Sequence, residues 1–382
     1  MRIRVRLPRV EPDVYGYPEE CPYKGCDGRF FKAHGVKGEE KAIRDLNHEQ
    51  VTSYRYRCVR CNRTFRVYPK GVSGAQQSDG LKAITVLLYA LGLSYGAVED
   101  FMTALGMAMS KTAVYYNVQE AGIASRSRQQ AAVASGGKRA VIGSDGTYLK
   151  VKGEKVCIQV VVDDQNGDLL GLDIVVSENS EEVRKVVEQV VEQVDAEVLV
   201  SDDLDVYKNV ADEVGLDHQI CRSHIKRNVD DWAESVIAQL KKNEPLPEGV
   251  ESSTECLQED VQTIQHMVRE RPPDAPDSLE EMYYRYMAAP VPKKGQRHTV
   301  WYRMRMRILR LWEGWDRLTL DQRRNDLDGT NNSSERLIGW WIKERYRTMR
   351  GYKRTESIRN VVTLTARMGV RSGHYDMSEL YA

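Results

Sequence analysis

Two apolar runs, Ala140-Val141-Ile142-Gly143 and Val198-Leu199-Val200, each give way to an aspartate, Asp145 after the first and Asp202 after the second. Runs this short and this rich in β-branched residues read as buried strands, so both carboxylates leave the ends of strands inside a covered sheet. A third acid, Glu335, heads a stretch of helical periodicity over 335–346, with Leu337, Ile338, Trp341 and Ile342 on its buried side and Trp340 displaced from them. Two strand-borne acids and one helix-borne acid can converge on divalent metal. Hard Mg²⁺ or Mn²⁺ prefers oxygen ligands, and a few carboxylates with water suffice. Two such ions suit phosphodiester cleavage, because one lowers the pKa of the attacking water and the other stabilises the leaving oxygen. Asp145, Asp202 and Glu335 are therefore the expected catalytic residues. Asp203 is the alternative at the second position, and each acid taken singly also reads as a turn former or a helix-dipole partner.

The surrounding pattern supplies a fold. Strands are expected over 139–144, 147–151, 156–163 and 169–176, with Gln165-Asn166-Gly167-Asp168 turning between the last two. A helix over 181–194, a strand over 197–201, a helix over 204–214 and a short strand over 218–220 follow. Antiparallel strands followed by alternating helices and strands is the order of a ribonuclease-H-like (RNase H-like) α/β fold with a mixed sheet. The small-residue segment Ala134-Ser135-Gly136-Gly137 marks a boundary ahead of it. Between 228 and 328 lies a mostly helical stretch that this fold does not need. Trp301, Ile308, Leu311, Trp312 and Trp315 share one helix face there and read as core, which turns Arg303, Arg305, Arg307 and Arg310 elsewhere, toward a nucleic-acid backbone.

Seven cysteines is an odd number without secretory context, so metal ligation is expected rather than a disulfide framework. Cys21 and Cys26 form one pair and Cys58 and Cys61 another, each able to offer two thiolates to one tetrahedral, structural Zn²⁺. Tyr54-Arg55-Tyr56-Arg57 and Thr64-Phe65-Arg66-Val67-Tyr68 read as strands joined at the second knuckle, the shape of a zinc ribbon. His34 or His48 in place of one cysteine is the alternative. Arg55, Arg57, Arg60, Arg63 and Arg66, with tyrosines interleaved, compose a surface expected to track phosphates. Three helices follow over 78–122, capped in part by Ser94 and Ser110, in helix-turn-helix order. A plain helical linker would show the same pattern. As a DNA reader it would present Lys111, Thr112, Tyr115 and Asn117.

The 382 residues carry no net charge, yet the charge is segregated: residues 1–140 carry +9, 141–290 carry −19 and 291–382 carry +10. Basic ends around an acidic middle suit a polyanion held by the flanks and cations held by the centre. Arg345, Arg347, Arg350, Lys353 and Arg354 form the densest basic patch, expected to position phosphates. The longest apolar stretch, over 84–93, falls far short of a membrane helix, and the N-terminus lacks the apolar segment of a signal peptide. A cytoplasmic, nucleoid-associated protein is the expectation.

Val200-Ser201-Asp202-Asp203, Cys221-Arg222-Ser223-His224 and Thr330-Asn331-Asn332-Ser333-Ser334-Glu335-Arg336 resemble the signatures of DDE transposases of prokaryotic insertion sequences, close to the Mutator-like group. The resemblance covers most of the chain. It implies a transposase that binds the ends of an insertion sequence, cleaves DNA by two-metal hydrolysis and joins 3′-hydroxyl ends to target DNA. In that family a Cys or Asp, two residues and a His follow the second acid, and an Asn pair precedes the glutamate. Cys221, His224, Asn331 and Asn332 carry over to those positions as near-site support, with Cys221 and His224 either bracing the last strand or acting near the scissile phosphate. The implied partners are double-stranded DNA, as terminal inverted repeats and target, and further copies of the chain in a homodimer or larger homo-oligomer. The implied organisation is a zinc ribbon over 1–74, a helix-turn-helix domain over 75–134, the first part of the core over 135–228, a helical insertion over 229–328, and the last part of the core with the glutamate helix and basic tail over 329–382. An element-derived DNA-binding regulator with an inert core, and a nuclease without joining activity, are the competing readings.

Overall fold

Val141, Ile142, Val160, Val161, Val162, Leu199 and Val200 are shut off from solvent on both sides, which requires a sheet covered by other elements on each face. The computed structural model describes residues 4–74, 76–175, 179–241, 244–349, 351–369 and 374–381. Seven short strands come first: β1 (Val5–Arg6), β2 (Glu11–Tyr15), β3 (Phe31–Ala33), β4 (Glu39–Ala42), β5 (Gln50–Cys58), β6 (Thr64–Val67) and β7 (Pro69–Lys70). Helices α1 (Asp79–Ala90), α2 (Tyr95–Ala104) and α3 (Lys111–Ser135) lead into the sheet. The sheet consists of β8 (Val141–Val151), β9 (Glu154–Asp163), β10 (Leu169–Val175), β11 (Val198–Ser201) and β12 (Asp217–Ile220), with α4 (Ser180–Val194) and α5 (Asp205–Val214) connecting its later strands. Its spatial order is β10-β9-β8-β11-β12, antiparallel through β10, β9 and β8 and parallel through β8, β11 and β12. This is the RNase H-like mixed α/β sheet that the element order predicts.

Beyond it run α6 (Arg222–Leu240), α7 (Thr254–Glu270), α8 (Ala275–Tyr286), α9 (Val300–Leu318), α10 (Leu320–Arg323), α11 (Asn332–Leu337), a π-helical turn (Ile338–Lys343), α12 (Glu344–Arg347) and α13 (Thr355–Met368). A closing strand, β13 (Tyr375–Asp376), pairs parallel to β1 and ties the two chain ends together. No helix among the described residues is long and apolar enough to cross a membrane.

Among the described residues three large bodies of apolar side chains hold most of these elements, with smaller ones at the β8–β11 edge and in the front strands. Val183, Val187 and Val190 of α4 and Tyr207 and Val210 of α5 cover one sheet face against Ile142, Val161 and Leu199. The opposite face, Leu149, Ile158, Val160 and Val162, packs under Leu337, Ile338, Ile342 and Val361, and the same body continues without interruption into Leu81, Val86, Met102, Val114 and Val118 of the front helices. Each such side chain contributes about 1.5–3 kcal/mol by leaving water. The inserted helices make their own body, with Trp232, Leu257, Ile264, Leu279, Trp301, Ile308, Leu311 and Trp315 at its centre, so Trp301 and Trp315 are core as expected, while Trp312 is partly buried against it.

The expected strands 139–144 and 147–151 are one strand, β8. Asp145-Gly146 reads locally as a turn, but ten consecutive pairings with β9, from Ile142 opposite Asp163 to Val151 opposite Glu154, hold it extended. Helix α3 likewise runs on past 122, where the three expected helices end, and stops at Ser135 within the small-residue segment, with Val133 buried in the α4 body. The α9 arginines also differ from expectation, because the insertion consumes them. Arg303 donates to Gln239 Oε1 (2.8 Å), Arg305 to the Ala289 carbonyl (3.1 Å), Arg307 lies over the Trp232 ring (5.3 Å), and Arg310 pairs with Asp203 and Asp205.

His218 on β12 sits between sheet and insertion. Arg317 donates toward its Nδ1 (3.3 Å), which leaves Nε2 to donate to Ser201 Oγ (2.8 Å), and Ser201 Oγ donates to the Asp202 carbonyl (3.0 Å). Burial first, and the Arg317 charge second, push the His218 pKa down to about 3. An imidazole neutral when folded but protonated above pH 3 when unfolded makes stability fall as pH drops from about 6.5 toward 3. The slope from this one group is about 1.4 kcal/mol per pH unit. Chemical denaturation at a series of pH values is expected to show that component in the native chain and to lose it in His218→Gln; equal slopes would mean that His218 does not titrate on unfolding.

Candidate functional site

The parallel register of β8 and β11 sets the position of two acids. Gly143 lies opposite Val200; Asp145 stands two residues further along β8, and Asp202 two residues past Val200, just beyond the end of β11 at Ser201. Neighbouring strands lie about 4.8 Å apart, so the two carboxylates leave adjacent strands at one level. Asp145 shares the sheet face of Gly143 by the two-residue alternation of a strand, and that face meets α11. A Cβ added at Gly143 would stand 2.7 Å from Asn331 Oδ1 and 2.8 Å from Ser334 Oγ, so only glycine lets the glutamate helix settle this close. Glu335 is the next residue of that helix, and it and Asp145 both stand close enough to His224 for their charges to act on it.

Asp145 Oδ1 accepts from the Gly146 N–H (2.7 Å), and Asp202 Oδ1 accepts from the Leu204 N–H (3.2 Å) in the turn entering α5. Asp203 is held differently. Its carboxylate pairs with Arg310 (3.2 Å), and burial first, against Arg310, raises its pKa. That engagement draws Asp203 into the insertion and leaves Asp202 as the acid level with Asp145. The three carboxylates do not all lie within 4.8 Å of one another. A pair of ions about 3.5–4 Å apart spreads its ligands more widely than a single ion does.

The segment before Glu335 is fastened at several points. Asn331 is fully buried; its Nδ2 donates to the Ser144 carbonyl (3.0 Å) and its N–H to Cys221 Sγ (3.3 Å). Asp328 Oδ1 accepts from both the N–H and Oγ1 of Thr330 (2.7 Å each), and Ser333 Oγ donates to the Asp164 carbonyl (2.8 Å). Asn332, at the first position of α11, is only partly buried, so the two asparagines do different things. Cys221 ends β12 as the N-cap of α6, and His224 follows one turn later with Nε2 3.3 Å from Glu335 Oε1, outside hydrogen-bond alignment. Burial alone would raise the Cys221 pKa, but the hydrogen bond to His224 and the Asn331 N–H outweigh it and hold the thiol below its ordinary value. The Cys221 hydrogen bond raises the His224 pKa, opposed by burial and aided by the charges of Glu335 and Asp145.

The front cysteines converge as their spacing suggests. Cys21 Sγ lies 3.7 Å from Cys61 Sγ and Cys26 Sγ 3.8 Å from Cys58 Sγ, and all four sulfurs fall within 4.8 Å of one another. Zinc–sulfur bonds of about 2.3 Å in a tetrahedron give edges of about 3.8 Å. Neither His34 nor His48 belongs to the group. The second knuckle closes through Asn62 N–H to Cys58 O (3.0 Å), with Asn62 left-handed at φ 61°, and Cys58 N–H to Arg63 O (3.0 Å). A Cβ on Gly28 would stand 2.6 Å from Cys58 Sγ, so the cluster needs glycine there.

The basic residues divide sharply. Paired strands β5 and β6 put Arg55, Arg57 and Arg66 on one face and Tyr54, Tyr56 and Phe65 on the other, where Tyr54 meets Tyr15 (4.9 Å between centroids) and Phe65 meets Phe31 (4.9 Å). Arg55, Arg57, Arg60 and Arg63 are exposed, Arg60 pairing with Asp27 and Arg63 lying over the Tyr23 ring (4.4 Å), while Arg66 is tied to Glu39 (2.6 Å). Lys111, Arg347, Lys353 and Arg354 are exposed, and Arg350 lies outside the described residues. Arg345 is a correction to the sequence reading. At 2% exposure it stacks on Tyr89 (4.0 Å) and donates to Thr348 Oγ1 (2.6 Å) and the Leu93 carbonyl (3.3 Å), so it joins the glutamate segment to the front helices and reaches no phosphate. Asn117 is a second correction: it is buried, accepting from Gln77 (3.0 Å) and donating to Thr85 (3.1 Å). Trp340, displaced from the buried side by helical periodicity, is 53% exposed.

Sequence reasoning passed over Gly143, Ser144, Ser201 and Ser334. Of these only Gly143 carried a signal, since a glycine inside a strand pattern marks close approach of another segment. Replacing Gly143 by alanine is expected to cost about 1–3 kcal/mol through overpacking under Asn331 and Ser334, with loss of the native seating of Glu335. Thermal or denaturant unfolding checks the cost, and an unchanged midpoint would show that α11 is free to shift.

The family model described as Transposase IS66 family matches residues 74–348. Solved structures similar to the chain include the HTLV-2 integrase catalytic core domain in complex with magnesium in a trimeric form, at 14% identity and TM-score 0.20 over 34% of this chain and 84% of that one. Another is the catalytic core domain of BIV integrase, at 13% identity and TM-score 0.19 over 53% of this chain and 95% of that one. Scores so low support nothing about function. No curated protein matches the chain. The matching family model is that of IS66, which agrees with the DDE transposase resemblance of the motifs. The match takes in both strand-borne aspartates, Cys221, His224 and Glu335 and runs over more than half of the sequence, and the chain therefore belongs to the IS66 transposase family.

Proposed function

We propose that the chain is a DNA transposase that binds the ends of its insertion sequence, cuts them by metal-assisted hydrolysis and joins the freed 3′-hydroxyls to target DNA. The observation that carries this reading is the level placement of Asp145 and Asp202 on adjacent parallel strands, with Glu335 brought over the same face by α11 at Gly143. A bound pair of Mg²⁺ or Mn²⁺ ions would supply a more acidic attacking water and charge at the leaving oxygen. Asp145 and Asp202 are the ligands from the sheet, and Glu335 completes the set from the helix. In cleavage, water oxygen attacks phosphorus, its proton passes to solvent and the 3′-oxygen leaves. In joining, the 3′-hydroxyl attacks a target phosphodiester and one P–O bond replaces another. Asn331 and Cys221 keep the glutamate segment in place, and the Ser201–His218 pair does the same for the backbone at Asp202.

Around this centre the front works as a DNA-holding flank. In this reading 1–74 is a zinc ribbon, stabilised by one Zn²⁺ on Cys21, Cys26, Cys58 and Cys61, and 75–134 is a helix-turn-helix unit whose α3 presents Lys111. Arg55, Arg57, Arg60 and Arg63 in front, and Arg347, Lys353 and Arg354 behind, contact phosphates of the terminal inverted repeats and of target DNA, and two or more copies of the chain bring two ends together. Residues 135–228 and 329–382 form the catalytic core and 229–328 the helical insertion.

Asp145→Asn is expected to lower Mn²⁺- or Mg²⁺-supported nicking of end-containing DNA by more than the ~10–100-fold that loss of a metal's outer-shell partner costs, while DNA binding persists. Cleavage at the native rate in this variant would sink the assignment. Cys58→Ser is expected to release the front ion, measured as zinc per chain, and to weaken end binding; full zinc retention would remove the four-cysteine site from the reading.

A further inference from the structure

Cys221, His224 and Glu335 bring a sulfur, an imidazole nitrogen and a carboxylate oxygen within 4.8 Å of one another, on the opposite side of the molecule's sequence from the front cysteines. Cys221 is fully buried. Glu335 Oε1 is shielded from solvent and has no hydrogen-bond partner among the described residues. Uncompensated polar atoms in a protein interior cost about 1–3 kcal/mol each, and an ion that uses them removes the cost. The distances are already those of a coordination sphere. Zinc–nitrogen and zinc–oxygen bonds of about 2.0–2.1 Å in a tetrahedron give an N···O edge of about 3.3–3.4 Å, and His224 Nε2 stands 3.3 Å from Glu335 Oε1. The donor types discriminate as well. Magnesium has no use for a thiolate, whereas sulfur, imidazole and carboxylate together select the zinc class.

We propose that Cys221, His224 and Glu335 bind one thiophilic divalent ion of the zinc class, with water as fourth ligand, and that this ion withdraws Glu335 from the hard-metal pair. The first half stands on geometry alone; the second rests on the active-site reading above. Zinc at this position switches the centre off by occupying the glutamate, without touching the DNA-holding flanks.

Cobalt titration of the full chain in excess Mg²⁺ tests it, because thiolate-bound Co²⁺ absorbs in bands that carboxylate-bound Co²⁺ lacks. Two thiolate-bound cobalt ions per chain are expected, one on the front cysteines and one here. Cys221→Ser should leave one, with the four-thiolate spectrum intact. Glu335→Gln, which leaves the buried thiol in place and so guards against misfolding, should weaken the second ion at least tenfold and the first not at all. One thiolate-bound cobalt in the native chain, or two that survive both substitutions unchanged, overturns the site. For the second half, added Zn²⁺ is expected to slow Mg²⁺-supported nicking of the native chain and to slow Cys221→Ser proportionately less. Equal inhibition of both overturns the withdrawal of Glu335. Absence of nicking under every metal, with two cobalt ions still bound, would count against the active-site reading and leave the ion site standing.

Discussion

The acidic centre depends on one close approach, that of α11 to β8 at Gly143. Without a side chain there, Asn331 and Ser334 descend onto the strand, and Glu335 is fixed relative to Asp145 by the rigidity of two backbones instead of by flexible side chains. The contact also explains why the segment ahead of the helix is so heavily tied. Asn331 is bound to Ser144 on one side and Cys221 on the other, so β8, β12 and α11 share one buried amide. The π-helical turn that follows, Ile338–Lys343, changes the pitch of the helix just beyond the acid and lets Trp341 and Ile342 enter the core while Trp340 stays outside.

A second dependence is the uninterrupted apolar body beneath the sheet. Front helices, sheet face and C-terminal helix contribute side chains to it jointly, so the front helices and the sheet that carries Asp145 are packed as neighbours. Arg345 shows how far that goes. A guanidinium taken almost wholly out of water is costly, and here Thr348 and the Leu93 carbonyl accept from its two terminal nitrogens while the Tyr89 ring faces its charge, partners drawn from both sides of the contact. The inserted helices are different. They carry their own apolar body and meet the core through specific polar links, Arg310 to Asp203 and Arg317 to His218 and Asp212.

What could be read from the sequence was set by local chemistry. The runs before Asp145 and Asp202 are too apolar to lie anywhere but a covered sheet, and the cysteine pairs can close only into knuckles. The α9 tryptophans fell on one face because helical periodicity is a local property. What could not be read was set by partners far along the chain. Asp145-Gly146 has turn chemistry, and only pairing with β9 makes it strand. Arg345 and Asn117 look like surface residues until Tyr89, Gln77 and Thr85 are known to stand beside them. Asp203 stayed the alternative to Asp202 for the same reason, since Arg310 lies more than a hundred residues away in sequence.

Helix α3 joins these themes. Its 25 residues make a rod about 37 Å long, with Val114 and Val118 gripped by one apolar body and Val133 by the other. A strut held at both ends converts sequence length into a fixed offset between its exposed first turn and the sheet. Adding one residue to it would displace the far end by about 1.5 Å and rotate it by about 100°, so the gauge of the molecule is written in the count of amino acids between Lys111 and Ser135.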